Sequence, residues 1–432
     1  MKLVGAAALR GLPLLCGILL GGAAAATAER WEKPVALDAS TLLGRSAIAG
    51  KHFKIEPRVE SDGLMNRYVV SSSYQRIGAY GDSLALERAR EQEAMAALRE
   101  IKTMEAYADG LKAAARAPLA VTRQVLTDPV AVMKSVPSAV SNLWSDVSGA
   151  FRGAREGAER KRDTSQMMKE LIGLQRVKAR LAFELGVDVY SSNAVLQTDL
   201  DDVSWSTFAG GASLELAMTQ APLAASLSKT ALEAIDDARA PLWAIPPATL
   251  MHETSKAFQA MGLSPDEADA IAWHRTCTLT HQTLLASILT ELRGVGGRDD
   301  FANLAATADD EAECRFYVET AKLAWSYHHM QRPIKTLRVS DGIVTAKDAD
   351  GKVVLLLRAD YVFWTPQAGK LVKALPASGK RSLWLSGVLS EAARRGFEQR
   401  GVVLHERVSK RFPAEVDVAA VLVPERAETS DE

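Results

Sequence analysis

Residues 334 to 358 read IKTLRVSDGIVTAKDADGKVVLLLR, and this stretch decides the fold of the C-terminal part of the chain. It contains three runs rich in Val, Ile, Leu and Thr, separated by Asp341-Gly342 and Asp350-Gly351. Asp-Gly between strand-like runs is a strong local signal for a tight turn between antiparallel strands. The stretch therefore predicts a meander of three short strands.

Strand-like and helix-like runs alternate after this meander. The expected strands are Tyr361 to Thr365, Ser382 to Ser386 and Val402 to Glu406, and the expected helices are 366–375 and 389–400. Such alternation is typical of parallel strands joined by right-handed crossovers. Residues 332–424 are thus predicted to form a small α/β domain, and the polar residues 425–432 are predicted to form a disordered acidic tail.

Upstream of residue 332 the pattern is mostly helical. Two strand-like runs, 52–60 and 65–72, flank Asp62-Gly63 and predict a β-hairpin. From Asp82 to Ile101 apolar residues recur at helical spacing and predict a helix, with Ser83 or Asp82 as its expected N-cap. Further helices are expected near residues 165–184, 212–236, 247–262, 265–276, 280–293 and 308–329.

The predicted fold class is therefore multi-domain α+β. A mainly helical domain, residues 29–331, starts with the β-hairpin and is followed by the small C-terminal α/β domain. A subdivision of the helical domain near residue 163 stays open, because prolines cut the preceding segment into short helical pieces.

Three local patterns have a structural interpretation. Residues 264–267, Ser-Pro-Asp-Glu, are a helix start with a capping box. The glycine-rich residues 294–297 lack the preceding strand and the following Gly-Lys-Ser/Thr of a phosphate loop, so they predict a helix end and a turn. Asp199, Asp201 and Asp202 lack the spacing of a calcium loop, and a solvated turn accounts for them.

The first 28 residues have the pattern of a secretory signal peptide. Lys2 and Arg10 are the positive charges, residues 12–20 are the apolar run, and Ala26-Thr27-Ala28 is a cleavage motif. The apolar run is much shorter than the roughly 20 residues of a membrane span. We therefore expect cleavage near Ala28, a mature chain that starts at Glu29, and a periplasmic or secreted protein.

The net charge gives no reason to expect nucleic-acid binding. The chain has a formal net charge of −1. Loss of residues 1–28, which hold Lys2 and Arg10 and no acidic residue, changes it to −3. A strongly basic balance, which is the electrostatic signature of nucleic-acid-binding domains, is therefore not found for the whole chain.

Two cysteines, Cys277 and Cys314, remain once Cys16 has left with the signal peptide. An even pair in an oxidising compartment predicts one disulfide. The alternative is two buried hydrophobic side chains that never meet, because free cysteine is among the most buried residue types. The sequence leaves both open.

Five of the seven histidines share one interval with both cysteines. On a continuous helix His274, Cys277 and His281 would share a face, and imidazole with thiolate is a zinc-like ligand set. We expect no cofactor, because a helix break at 278–280 or a disulfide would remove the ligand set. The alternative is a zinc site, for which His274, His281 and His328 are the candidate metal ligands.

Residues 130–163 are the segment best suited to an interaction. Apolar residues recur there at helical spacing, and the segment ends near Arg160-Lys161-Arg162. A basic amphipathic helix can lie on an anionic membrane surface or pack on the protein itself. We therefore expect a non-enzymatic bacterial envelope protein that binds an envelope protein partner or an anionic membrane surface through 130–163. The alternative is an extracytoplasmic, metal-dependent enzyme that uses the His/Cys-rich segment 252–329.

Overall fold

The structure is a computed structural model, and it describes residues 30–115, 173–210 and 245–416. It confirms the mixed α+β fold. From Glu32 onward the described residues belong to one compact unit. The domain boundary at residue 332 and the subdivision near residue 163 stay predictions. Predicted features at 1–28, 130–163, 212–236 and 425–432 lie outside the described residues.

The N-terminal sheet is antiparallel. Its strands are β1 (Leu37–Asp38), β2 (Lys54–Ile55), β3 (Arg58–Ser61), β4 (Asn66–Ser71) and β5 (Arg76–Tyr80). β3 and β4 form the predicted hairpin. Its turn is held by the Asp62 carboxylate, which accepts hydrogen bonds from the N–H groups of Leu64 and Met65 at 2.9 and 2.8 Å. β4 also pairs with β2 and β5, so the sheet extends beyond the hairpin.

Helices dominate the described residues up to residue 330. They are α1 (Ala39–Leu43), α2 (Asp82–Lys102), α3 (Glu105–Ala114), α4 (described part 173–184), α5 (Ala194–Gly210), α6 (Pro247–Ala260), α7 (Pro265–Ala272), α8 (Leu279–Glu291), α9 (Arg298–Ala305) and α10 (Glu311–Met330). Their apolar faces form the largest core, in which Leu98, Leu200 and Leu289 are fully buried. This packing agrees with the helical spacing of apolar residues in the sequence.

The predicted turn at Asp199, Asp201 and Asp202 is wrong, because these residues lie on α5. Lys102 of α2 donates hydrogen bonds to Asp199 and Asp202, at 2.7 Å each. Lys178 of α4 forms an ion pair with Asp201 at 2.5 Å. The carboxylates therefore join α5 to two other helices instead of facing solvent in a turn.

Buried ion pairs also join α2 to α10. Arg88 pairs with Glu91 at 2.8 Å and with Glu311 of α10 at 2.9 Å. Arg315 of α10 donates two hydrogen bonds to Glu87 at 3.0 and 3.1 Å. Burial raises the pKa of Glu91 above its ordinary value. Arg88 offsets this effect, because a nearby positive charge favours the ionised carboxylate.

The C-terminal region combines a meander with parallel strands. Its elements are β6 (Ile334–Ser340), β7 (Ile343–Asp348), β8 (Val353–Leu357), β9 (Tyr361–Val362), α11 (Pro366–Lys373), β10 (Arg381–Leu385), β11 (Val388–Leu389), α12 (Glu391–Glu398), β12 (Val403–His405) and α13 (Val408–Arg411). The main sheet has the order β12-β10-β8-β7-β6. β6, β7 and β8 form the predicted antiparallel meander, whereas β8, β10 and β12 are parallel.

One predicted parallel strand lies outside this main sheet. Of residues 361–365 only the first two are a strand, and they pair with β11. β8 takes the expected position beside β10. The chain after β8 is held by the hairpin turn instead, because the N–H groups of Asp360 and Phe363 donate to the carbonyls of Leu64 and Gly63, at 2.9 Å each.

Both faces of the main sheet are covered. On one face Leu355 and Leu383 form a core with Phe397 of α12 and with apolar residues of α11. On the other face Leu356 and Trp384 belong to the core of the helical part. Burial on both faces explains the continuous apolar run of β8, since strands covered on both sides show no polar alternation.

The sequence predicts capping residues for two helices, and one of these predictions is confirmed. At α7, Ser264 and Glu267 form the capping box, with the N–H of Ser264 donating to the Glu267 carboxylate at 2.8 Å. At α2 the N-cap is Gly81, so the prediction of Asp82 or Ser83 is wrong. The Asp82 carboxylate is instead used in a tertiary contact, where it accepts a hydrogen bond from Tyr68 at 2.6 Å.

The glycines of residues 294–297 form the predicted helix end and turn between α8 and α9. Gly294 and Gly297 have positive φ angles of 81° and 77°. Gly297 is also the N-cap of α9. Gly296 forms a bridge with Thr336 of β6. The turn thus ties the helical part to the edge of the main sheet.

Gly297→Ala should destabilise the protein more than Gly294→Ala. An L side chain at a positive φ costs about 1–2 kcal/mol at either position. A Cβ at residue 297 would in addition lie 2.2 Å from the carbonyl oxygen of Leu337, whereas a Cβ at residue 294 has no neighbour within 4 Å. Urea denaturation of both variants measures the difference. Equal losses of unfolding free energy would contradict the close approach to β6.

Candidate functional site

Cys277 and Cys314 are joined by a disulfide, with their Cα atoms 5.5 Å apart. Cys277 lies in the turn between α7 and α8, and Cys314 lies in the first turn of α10. Both side chains are buried. The structure thus agrees with the disulfide and not with two separate buried thiols. Disulfides are typical of oxidising, extracytoplasmic compartments.

The two histidines closest in sequence to Cys277 lie beside this disulfide. α7 ends before His274 and α8 begins after Cys277, so no continuous helix carries them. The turn nevertheless brings ligand atoms of His274, Cys277 and Cys314 within 4.8 Å of one another. These residues and His281 line a cavity of about 10 Å³. This volume is about that of one water molecule by the same measure.

Threonine hydroxyls orient both histidine rings. The Thr276 hydroxyl lies 3.0 Å from Nδ1 of His274. The Thr278 hydroxyl lies 2.9 Å from Nδ1 of His281, and it also caps α8. The turn is held further by Gln282, whose side-chain amide donates to the carbonyl of His274 at 2.8 Å. The cluster is therefore fixed by local hydrogen bonds as well as by the disulfide.

His328 is not part of this cluster. It lies near the C-terminal end of α10, 14 residues beyond Cys314, which is about 21 Å along a helix at 1.5 Å per residue. Its Nδ1 accepts a hydrogen bond from the N–H of Ile334 at 3.0 Å. A metal site that combines His274, His281 and His328 therefore does not form, because the third histidine is at the wrong end of the helix.

The carboxyl end of β8 carries a second polar cluster. Open α/β sheets commonly bind ligands at the carboxyl ends of their strands. Here Arg358 pairs with Asp360 at 2.5 Å, and Asp360 also accepts a hydrogen bond from the N–H of Asn66 in the hairpin at 3.0 Å. Asp82 accepts hydrogen bonds from Tyr68 and Asn66 at 2.6 and 2.9 Å. This cluster therefore joins the two sheets.

Asp82 should make stability depend on pH. Burial, and then the nearby Asp360, raises the pKa of the Asp82 carboxyl above its ordinary value of 3.8. The folded state therefore binds this proton more tightly than the unfolded state, and the stabilisation is complete below pH 3.8 and lost as pH rises through the folded-state pKa. The stability of the wild type relative to Asp82→Asn should decrease as pH rises above 3.8.

Denaturation of both proteins across this pH range measures the effect. The exposed Asp300→Asn controls for the chemical change of an aspartate to an asparagine. A stability difference between wild type and Asp82→Asn that stays constant, or increases with pH, would contradict the assignment.

A basic surface in the C-terminal region was not predicted from the sequence. Residues 332–416 contain 16 Lys and Arg against 8 Asp and Glu, a balance of +8 within a chain of net charge −1. Residues 361–390 contain no acidic residue at all. A charge count by region reveals this asymmetry, whereas the balance of the whole chain hides it. Such asymmetry is typical of proteins that bind nucleic acids or membranes.

The fold gathers several of these cations at the amino ends of the parallel strands. These ends lie side by side, because Arg381 pairs in register with Val353 and Ser382 with Val403. α11 and α12 run back to the same ends, as crossovers between parallel strands must. We define the cationic edge as Lys352, Lys370, Lys373, Lys380, Arg381 and Arg400.

Half of the cationic edge is open to solvent, because Lys352, Arg381 and Arg400 are half-buried. Lys370, Lys373 and Lys380 are exposed, and they have no ion pair within the described residues. The dipole of α11 accounts for Lys370 and Lys373, since cations are favoured at a helix C-terminus. It does not account for Lys352 and Lys380, which lie in loops. The edge is thus a cluster of positive charge with no internal counter-charge on its three exposed lysines.

No helix in the described ranges combines the length and apolar composition that are needed to cross a membrane. No protein-family model matches the chain, and no curated protein or solved structure is significantly similar to it.

Proposed function

We propose that the protein is an exported, non-enzymatic envelope protein that binds an anionic membrane surface through the cationic edge. The observation that carries this proposal is the concentration of exposed, unpaired lysines at the amino ends of the parallel strands. Residues 1–28 direct export, with cleavage near Ala28, and the mature protein works in the periplasm or outside the cell. The disulfide supports export, because disulfides persist in oxidising compartments.

Clustering of the positive charges strengthens the attraction of the protein to an anionic bilayer. Each Lys or Arg near an anionic bilayer contributes about 1 kcal/mol, and the attraction falls off within a Debye length of about 8–10 Å. Charges spread over the whole surface would act singly, whereas several charges on one edge reach the bilayer together. The acidic remainder of the chain is repelled by the same surface, so the protein would bind with a defined orientation.

Residues 130–163 provide a second contact in this proposal. The basic end of this segment, Arg160-Lys161-Arg162, has the charge that an anionic headgroup attracts. An envelope protein partner for the same segment is the alternative. The two alternatives can be distinguished by lipid composition, because only binding to a membrane depends on the charge of the lipid headgroups.

Vesicle flotation of the mature full-length protein tests the proposal. We expect the protein to float with phosphatidylcholine vesicles that contain phosphatidylglycerol, and not with phosphatidylcholine alone. Replacement of Lys370, Lys373 and Lys380 by Gln should remove about 3 kcal/mol, which corresponds to roughly 150-fold weaker partitioning. The matched control replaces Arg45, Lys51 and Lys54, three exposed cations of the N-terminal part, by Gln.

Three results would overturn the membrane proposal. One is equal loss in the lysine variant and in its control, because binding would then follow total charge and not the edge. Another is absence of flotation with wild-type protein at low salt. The last is binding of a polynucleotide that depends on the three lysines while vesicles stay unbound, since that would make nucleic acid the partner.

The same assay tests residues 130–163. Arg160, Lys161 and Arg162 replaced by Gln should weaken flotation further if this segment also contacts the bilayer. Flotation equal to that of the wild type would remove the segment from the membrane contact and leave a protein partner as its proposed role.

We do not propose an enzymatic function for the His/Cys-rich segment 252–329. In the oxidised protein both thiols are consumed by the disulfide, and the cavity beside them has room for about one water molecule. This segment therefore fits a structural role in the oxidised protein, in which the disulfide fastens α10 to the turn before α8.

A further inference from the structure

We infer that reduction of the Cys277–Cys314 disulfide converts this structural link into a zinc site formed by the two thiolates, His274 and His281. The inference does not depend on membrane binding, because the cationic edge and this cluster share no residue. It differs from the three-histidine hypothesis, because His328 is replaced by two cysteines that only a reduced protein can offer.

The positions of the ligand atoms favour a tetrahedral zinc site. In such sites Zn–S is about 2.3 Å and Zn–N about 2.0–2.1 Å, which places neighbouring ligand atoms about 3.3–3.8 Å apart. The ligand atoms of His274, Cys277 and Cys314 already lie within 4.8 Å of one another. After reduction the two sulfur atoms must move apart from bonding distance to about 3.8 Å, and His274 must approach them by up to about 1–1.5 Å, to close the site on the ion. His281 is not among these three closely spaced residues but lines the same cavity, and a shift of its side chain toward them would provide the fourth ligand.

The hydrogen bonds of the two histidines are those expected of zinc ligands. A ligating imidazole almost always bonds its second ring nitrogen to another polar group, which fixes the orientation of the ring. Here the hydroxyls of Thr276 and Thr278 contact Nδ1 of His274 and of His281, at 3.0 and 2.9 Å. These contacts assign Nε2 of each histidine to the metal.

Both cysteines are placed where a thiolate is stabilised. Cys277 immediately precedes Thr278, the N-cap of α8, and Cys314 lies in the first turn of α10. The N-terminus of a helix carries partial positive charge, which favours a thiolate over a thiol. Both cysteines thus lie at the start of a helix, and this position favours a metal that is bound by thiolates.

Reduction of the disulfide needs one co-reactant, a dithiol. A dithiol reductant supplies two electrons and two protons to the disulfide, the S–S bond breaks, and the reductant is itself oxidised to a disulfide. Two protein thiols result. Zn²⁺ then forms two Zn–S bonds and releases the two thiol protons to solvent. In the reverse direction a disulfide oxidant takes two electrons from the thiolates and is reduced to a dithiol, the protein S–S bond forms again and Zn²⁺ is released, so disulfide and zinc exclude each other.

Cobalt spectroscopy of the full mature protein tests the inference. Co²⁺ reports thiolate ligation by a charge-transfer band and tetrahedral geometry by intense visible bands. After reduction with a phosphine, we expect one Co²⁺ per chain with both signatures, displaced by Zn²⁺. The oxidised protein should show neither. Circular dichroism of the reduced protein, with and without metal, verifies that the helices are retained.

Single substitutions test whether the proposed residues are the ligands of Co²⁺. Cys277→Ser should reduce the charge-transfer band by about half or more, because one of two thiolates is lost, and His274→Ala and His281→Ala should each weaken Co²⁺ binding by about tenfold or more. His252→Ala is the matched control, because this histidine lies on α6 and does not line the cavity. It should bind Co²⁺ as the wild type does.

Several outcomes would overturn the inference. They are absence of Co²⁺ binding by the reduced wild type, binding by His274→Ala that equals the wild type, and visible bands of octahedral rather than tetrahedral type. A reduced protein that loses its helices and does not regain them with Zn²⁺ would also overturn it, because the fold could not then present the ligands.

Discussion

Arg88→Ala should cost roughly 3–5 kcal/mol of unfolding free energy, as the loss of one partner of a buried ion pair does. Glu91 is completely buried, and Arg88 is its ion-pair partner at 2.8 Å. Without the guanidinium, Glu91 keeps its hydrogen bonds from Ser191 and Asn193 but must either remain as an uncompensated charge or bind a proton. Both carry a free-energy cost in the folded state.

Equilibrium denaturation in urea at neutral pH measures this loss. Arg180→Ala is the matched control, since the side chain of Arg180 is 62% exposed and lies 4.0 Å from Glu184. We expect the control to change stability by less than about 0.5 kcal/mol. Similar losses in the two variants would contradict a stabilising role for the buried ion pair of Arg88 with Glu91.

Loss of the disulfide should have the second large effect. The bond closes a loop between positions 37 residues apart. Restriction of the unfolded chain by a loop of this length stabilises the folded state by about 4 kcal/mol. The double variant Cys277→Ser/Cys314→Ser should therefore lose about 4 kcal/mol relative to the oxidised wild type.

The reduced wild type provides the control for this variant. In the presence of a chelator it should lose the same free energy as the double variant, and Zn²⁺ should restore part of it only in the wild type, since binding to the folded state alone stabilises that state. A double variant as stable as the oxidised protein would contradict a stabilising role for the disulfide.

The features that the sequence predicts correctly are local. The meander follows from Asp341-Gly342 and Asp350-Gly351, because each turn depends on residues beside it. The capping box of α7 depends on two residues only three positions apart. For Cys277 and Cys314 the sequence leaves both a disulfide and two separate buried thiols open, and the structure agrees with the disulfide.

The features that the sequence does not predict depend on distant partners. Asp199 and Asp202 resemble a solvated turn until Lys102 is placed beside them, 97 and 100 residues away. Residues 361–365 have the composition of a strand in the main sheet, yet the hairpin turn near Gly63 binds this backbone. In the cationic edge, residues that are far apart in sequence become neighbours only through the parallel register of the strands.

Glu32 shows how the two ends of the fold are connected. Its carboxylate accepts hydrogen bonds from the N–H of Trp364 at 2.6 Å and from the hydroxyl of Ser390 at 2.5 Å. These partners are 332 and 358 residues away, and contacts of such separation form late because the intervening chain must first be ordered. A chain that crosses a membrane from its N-terminus onward could not close this contact before residue 390 has emerged. In the export proposed above, Glu32 would therefore join Trp364 and Ser390 only after most of the chain has passed through the membrane.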